Sequence, residues 1–189
     1  MASPALESFV AQAAALACQR PDPADCVLAL APLMLELIER ATTFLEPRHY
    51  RSDPARYARN LVYAAPDASL SLYALVWSPG QWTPVHDHCC WGVVGVLEGV
   101  LEERSYVRMS TDRGIDEGIH LVRGGVALLQ RGAVTSFVPN PDHIHVTGVS
   151  AERSRAVSLH LYGRTMNCFN TYNVAAGTRQ RVTVEHNDS

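Results

Sequence analysis

Two His-x-His pairs and one Ser-x-His-x-Tyr run hold the side chains of this chain that could do chemistry. His86 and His88 lie two apart in PVHDHCCWGVVGVLEG (84–99), and His143 and His145 repeat that spacing. Successive side chains on a β-strand point to opposite faces, so each pair projects both imidazoles to one side. Two imidazoles converging from one strand are half of a metal site, and the second pair offers a third ligand. Parity does not choose between His143 and His145, which face the same way. Cys90 has the parity of His86 and His88, so a softer His/Cys zinc set is the rival donor arrangement. In SLHLYG (158–163), Ser158, His160 and Tyr162 share one face while Leu159 and Leu161 take the other. Three inward polar groups must be hydrogen-bonded, and these can satisfy one another in series.

The elements that must position these residues change character along the chain. Ser3-Pro4 and Asp22-Pro23 are helix-start signals. Behind the first, Leu6, Phe9, Val10 and Ala13 line one side; behind the second, Val27, Leu30, Met34, Leu37, Ile38 and Ala41 recur at helical spacing. From about Arg59 the pattern becomes short β-rich runs: 70–77, 93–107, 119–122, 126–129, 134–138, 144–149, 156–162 and 181–184. Pro66-Asp67, Ser78-Pro79-Gly80, Gly124-Gly125, Arg131-Gly132, Asn140-Pro141-Asp142 and Gly177-Thr178 supply turn chemistry between them. Many short strands without intervening helices predict an antiparallel sandwich or barrel. The expectation is one domain over 1–189, with N-terminal helices in 1–45 packed on a β-barrel in 57–186.

Composition narrows the function classes. The chain has 189 residues, 47% hydrophobic and 19% charged, enough for a sizeable core in one domain. A formal charge of -3 with no long basic run gives no reason to expect nucleic acid or an anionic membrane surface as partner. No apolar segment reaches bilayer-spanning length, and Glu7 stands where a signal peptide would carry positive charge. The five cysteines, Cys18, Cys26, Cys89, Cys90 and Cys168, have no paired-framework spacing. Free thiols in a reducing cytoplasm are the expectation.

The order Gly80, His86, His88, then a later His after a Gly-Pro-containing segment, resembles the two motifs of the cupin superfamily. In cupins a Glu follows the two histidines as a fourth ligand; Gly92 occupies that position here. Three histidines without the Glu resemble the thiol dioxygenases, the cysteine dioxygenase family of bacterial type. The stretch Tyr57-Ala58-Arg59-Asn60-Leu61 is similar to the segment that supplies that family's carboxylate-binding arginine. Ser158, His160 and Tyr162 resemble its Ser-His-Tyr triad, and the thirteen residues from His145 to Ser158 match the family interval, favouring His145 over His143. The resemblance implies a cupin barrel and Fe(II) held by His86, His88 and His145. It implies substrate contacts from Arg59 and Tyr57, and outer-sphere chemistry from Tyr162 with His160 and Ser158. The implied reaction oxidises a small carboxylate-bearing thiol, of the cysteine, 3-mercaptopropionate or mercaptosuccinate class, to its sulfinate with O₂. Mammalian-type relatives couple a cysteine to the triad Tyr; Val93 aligns with that cysteine, so no thioether is expected. Arg164 follows Tyr162 by two residues and would suit a second carboxylate. The other readings are a zinc or manganese cupin isomerase or hydrolase, and a non-catalytic ligand-binding cupin.

Overall fold

Proline-primed helices open the chain. In the computed structural model, which describes residues 3–139 and 142–187, α1 (Pro4–Gln19) is capped by Ser3 and α2 (Pro23–Glu39) by Asp22. The Asp22 carboxylate accepts from Ala24 N at 2.9 Å, satisfying one of the first-turn donors that have no partner within a helix. Two 3₁₀ turns, Ala41–Thr43 and Pro47–Tyr50, lead into the sheets. Among the described residues no helix is long and apolar enough to cross a membrane.

Eleven strands follow: β1 (Ala58–Ala64), β2 (Ser71–Trp77), β3 (Val85–His86), β4 (Gly92–Glu98), β5 (Val100–Arg108), β6 (Leu121–Gln130), β7 (Val134–Phe137), β8 (Ile144–Gly148), β9 (Ala156–Tyr162), β10 (Cys168–Asn173) and β11 (Thr178–Thr183). They form two antiparallel sheets, ordered β1-β2-β9-β4-β7 and β11-β10-β3-β8-β5-β6. This is the mainly β architecture with N-terminal helices that the helix and strand patterns predict.

The central strands β2, β4 and β9 are covered on both faces, and parity decides which side chain goes where. Leu72, Ala74, Val93, Leu159 and Leu161 point outward and pack with Leu30, Met34, Leu37 and Ile38 of α2. Tyr73, Leu75, Trp77, Val94, Val96 and Tyr162 point between the sheets, where they meet Leu101, Phe137 and Phe169. Gly95 lets α2 lie close: a Cβ there would come within 2.7 Å of Ile38 Cγ2. The apolar faces of the helices are therefore one wall of the molecule, and the chemistry lies on the far side of the sheet.

Several boundaries differ from the sequence expectation. Gly99, at φ +74°, splits the run 93–107 into β4 and β5. Gly124-Gly125 is no turn; β6 passes through both at an irregularity in its pairing with β5, and the ladder on either side of them overrides local turn preference. β1, β3 and β10 carry polar residues or are very short, and lack the alternation that marks the other strands. Asn140 and Pro141 of the expected Asn140-Pro141-Asp142 turn lie outside the described residues.

Leu30 is fully buried between α1, α2 and the sheet. Leu30→Ala is expected to cost about 2–5 kcal/mol of stability, read from urea unfolding midpoints at unchanged denaturant slope.

Candidate metal centre and its surroundings

His86 ends β3, His88 follows it, and His145 lies directly across from His86 in the β3–β8 register. All three are buried, and one ligand nitrogen from each falls within 4.8 Å of the others. The His86 and His88 Nε2 atoms are 3.2 Å apart, the span expected of two nitrogens sharing one ion at about 2.1 Å. His86 Nδ1 donates to the Pro84 carbonyl at 3.0 Å, which leaves its Nε2 lone pair facing the cluster. His145 Nε2 and His88 Nδ1 are buried without a hydrogen-bond partner. Burial, then the mutual proximity of the rings, pushes His86 and His88 well below the usual imidazole range, so they present neutral lone pairs. A divalent cation is what such a set fits.

The groups behind the two histidines differ, and His145 is the one that converges with His86 and His88. His145 Nδ1 lies 3.2 Å from Thr147 Oγ1 and 3.5 Å from Glu103 Oε1, orienting the ring with Nε2 toward His86 and His88. His143 instead gives its Nε2 to Glu103 at 3.3 Å and stacks on Phe137. Burial opposes ionisation of Glu103, but its hydrogen bonds from His143 and His145 prevail and hold the carboxyl well below the usual range. Glu103, His143 and His145 form a second convergent group, sharing His145 with the first. Cys90 belongs to neither; it is buried in the inter-sheet core, where desolvation pushes its thiol up to about 12.

The cavity at this centre is lined by Tyr57, Arg59, His160 and Tyr162 together with the three histidines. Arg59 is buried, rests over the Tyr73 ring at 4.9 Å and donates from Nη2 to the Met166 carbonyl at 2.5 Å. Its Nη1 is buried without a partner. Tyr57 stacks on Trp77 with centroids 4.6 Å apart. The polar face of β9 forms one chain: Ser158 Oγ to His160 Nε2 at 2.8 Å and His160 Nδ1 to Tyr162 Oη at 3.3 Å. Burial pushes His160 down to about 3 and Tyr162 well above the usual phenol range.

Of the sequence-predicted site residues, Ser158 reaches this cavity only through its hydrogen bond to His160, and Arg164 does not reach it at all. β9 ends at Tyr162, and the chain then turns so that Arg164 Nη2 reaches Cys168 Sγ at 2.9 Å, beside Arg181 at 3.1 Å. Gly92, not Val93, lies across from Tyr162 in the β4–β9 pairing, while Val93 points to the helices. Sequence reasoning missed Trp77, whose indole N–H donates to Ser158 Oγ at 3.0 Å, and also Glu103, Thr147 and Phe137. One signal was available for Glu103: it shares the parity of Leu101, which is fully buried.

These features define a β-sandwich protein with a buried three-imidazole metal centre. A family model described as cysteine dioxygenase type I matches residues 31–175, and the chain belongs to that family. Among solved structures, similarity extends to a protein of Thermus thermophilus (19% identity, 62% of this chain, 91% of that one, TM-score 0.45). A Klebsiella pneumoniae protein with a double-stranded β-helix domain is 14% identical over 78% of this chain and 95% of its own, with a TM-score of 0.46. A cupin-like protein of Thermotoga maritima is 15% identical, over 74% and 88%, with a TM-score of 0.41.

Neutral burial of His160 ties stability to pH. An unfolded imidazole takes up a proton near pH 6.5, whereas folded His160 does so only near 3, so between these values the unfolded chain binds more protons. The metal-free protein is expected to hold full stability above about pH 6.5 and to lose it as pH falls. The slope reaches about 1.4 kcal/mol per pH unit for each such histidine, checked by chemical denaturation of chelator-treated protein from pH 7.5 to 5.

Proposed function

We propose that this family member is a non-haem Fe(II) thiol dioxygenase that converts a small carboxylate-bearing thiol to its sulfinate, RSH + O₂ → RSO₂H. The observation that carries the reading is the meeting, in one cavity, of three convergent neutral imidazoles with a buried guanidinium nitrogen that has no partner. An Fe(II) ion held by His86, His88 and His145 would supply the redox chemistry that delivers both oxygen atoms to sulfur.

The protein's own residues do the rest by binding and orientation. Arg59 Nη1 offers its hydrogens to the substrate carboxylate, while the Met166 carbonyl and the Tyr73 ring keep the guanidinium from turning away. Fixing the carboxylate at Arg59 places the sulfur of a short thiol beside the imidazole cluster, which converts an encounter into a positioned pair. Tyr57, stacked on Trp77, forms part of the cavity wall with Arg59.

The β9 chain sets where a proton is held. Trp77 Nε1 can only donate, so Ser158 accepts there and gives its own hydrogen to His160 Nε2. His160 then carries its proton on Nδ1 and donates it to the Tyr162 oxygen, leaving the phenol hydrogen free to point into the cavity. A phenol whose pKa is raised by burial keeps that hydrogen and can donate it to the substrate carboxylate or to oxygen gaining charge. With Arg164 engaged at Cys168, Arg59 is the guanidinium available in the cavity, which favours thiols with one carboxylate.

Oxygen uptake with cysteine, 3-mercaptopropionate and mercaptosuccinate, together with metal analysis of protein purified without added metal, tests the reading. Stoichiometric O₂ consumption and sulfinate formation by iron-loaded protein are expected; full zinc occupancy with no uptake on any thiol would overturn it. Arg59→Ala is expected to raise KM for carboxylated thiols by roughly tenfold to a hundredfold, the scale of a lost charge-assisted hydrogen bond. Tyr162→Phe is expected to retain iron and lower turnover by roughly a hundredfold, measured as the rate of sulfinate formation per iron-loaded protein.

A further inference from the structure

Gly92 of β4 lies across from Phe137 of β7 on one side and Tyr162 of β9 on the other. A Cβ added at Gly92 would fall into the Phe137 ring, 2.8 and 2.9 Å from Cε2 and Cε1 and nearer still to Cζ. The direction in which residue 92 would extend a side chain is therefore the space that this ring fills. Phe137 lines the metal cavity, and its ring is stacked with His88 at 4.2 Å and 22°. The tip of a flexible side chain often yields to a new neighbour, but this ring is held. It is also stacked with His143 at 4.7 Å and 11°, and His143 is in turn bound by Glu103, the carboxylate that reaches His145.

We propose that Gly92 and Phe137 are a matched steric pair that bars strand β4 from contributing a fourth protein ligand, so that the protein's share of the coordination stays at three imidazoles. Phe137 is the positioning residue of the pair. It fills the volume a ligand side chain at 92 would need, and its contact with His88 keeps that ligand's ring in place. His143 does not bind the metal in this arrangement; it braces the ring. The proposal rests on the three-histidine metal reading and deepens it.

Cobalt(II) loading tests this, because visible absorption reports coordination number and chelator competition reports affinity without any turnover. Wild-type protein should take up one equivalent that is lost in His86→Ala. Gly92→Glu alone should melt at a lower temperature and gain no carboxylate signature, since the ring occupies its path. Gly92→Glu combined with Phe137→Ala should change the cobalt spectrum and bind about tenfold more tightly, the scale on which single changes around a metal site act. A new spectrum in Gly92→Glu alone at wild-type melting temperature would overturn the proposal, as would wild-type spectrum and affinity in the folded double variant. Should the double variant not fold, a cycle of Gly92→Ala and Phe137→Leu on metal-free protein decides. The second change is expected to relieve most of the destabilisation caused by the first, and additive losses would overturn the proposal. Failure of the wild-type protein to bind cobalt in a His86-dependent way would overturn the metal reading and the proposal with it, whereas the other outcomes strike the proposal alone.

Discussion

Imidazole nitrogens shut away from water cost free energy unless a hydrogen bond or a metal replaces the lost hydration, and the arrangement of this barrel follows from that constraint. His86 places one nitrogen on a carbonyl, His145 places one on Thr147 and Glu103, and His160 is engaged at both nitrogens by Ser158 and Tyr162. Of the atoms left over, His88 Nδ1, His145 Nε2 and Arg59 Nη1 belong to residues that line one cavity, whereas His49 Nε2 and His143 Nδ1 belong to residues outside it. The unmet polar capacity gathered at that cavity suits completion by something that is not protein.

Strand parity is how the fold separates that polar cluster from its hydrophobic support. On β9, Leu159 and Leu161 seal against α2 while the residues between them build the polar chain; β2 divides in the same way between Leu72 and Ala74 on one face and Tyr73, Leu75 and Trp77 on the other. Because both faces are covered, neither set can slip by one residue without placing polar side chains against the helices and leucines in the cavity. The register that packs the helices is thus the register that positions the chemistry. Truncation on the helix side would reach the site through the sheet rather than by contact.

Much of this was legible from the sequence wherever a repeating pattern matched a repeating geometry. Helical periodicity placed Leu30, Met34, Leu37 and Ile38 in the core, and the alternation of SLHLYG gave the inward face of β9 residue for residue. His86 and His88 were recognisable from their spacing, although β3 ends at His86 and His88 lies just beyond it. The pattern was silent where a strand was too short or too polar to alternate, as in β3 and β10, and misleading at Gly124-Gly125, where a long partner strand overrides local turn preference. Arg164 shows another limit: its distance along the chain from Tyr162 was right for the cavity, but the strand ends between them and the direction of the side chain changes.

The sequence by itself determined that His86 and His88 could share a face as part of a metal site and that Ser158, His160 and Tyr162 could form one polar chain; the narrower class came from resemblance to a family. Only the tertiary structure decided how those residues divide the work. The orientation of His145 toward His86 and His88 depends on Glu103 from a neighbouring strand and on Thr147 of its own strand, and the direction of the β9 chain depends on Trp77, which is 81 residues from Ser158. The meaning of Gly92 likewise depends on Phe137, which sequence separates from it and the sheet sets against it. Alternation along one strand is written in local order; which side chain meets which across strands is settled only when the register of long-range pairing is formed.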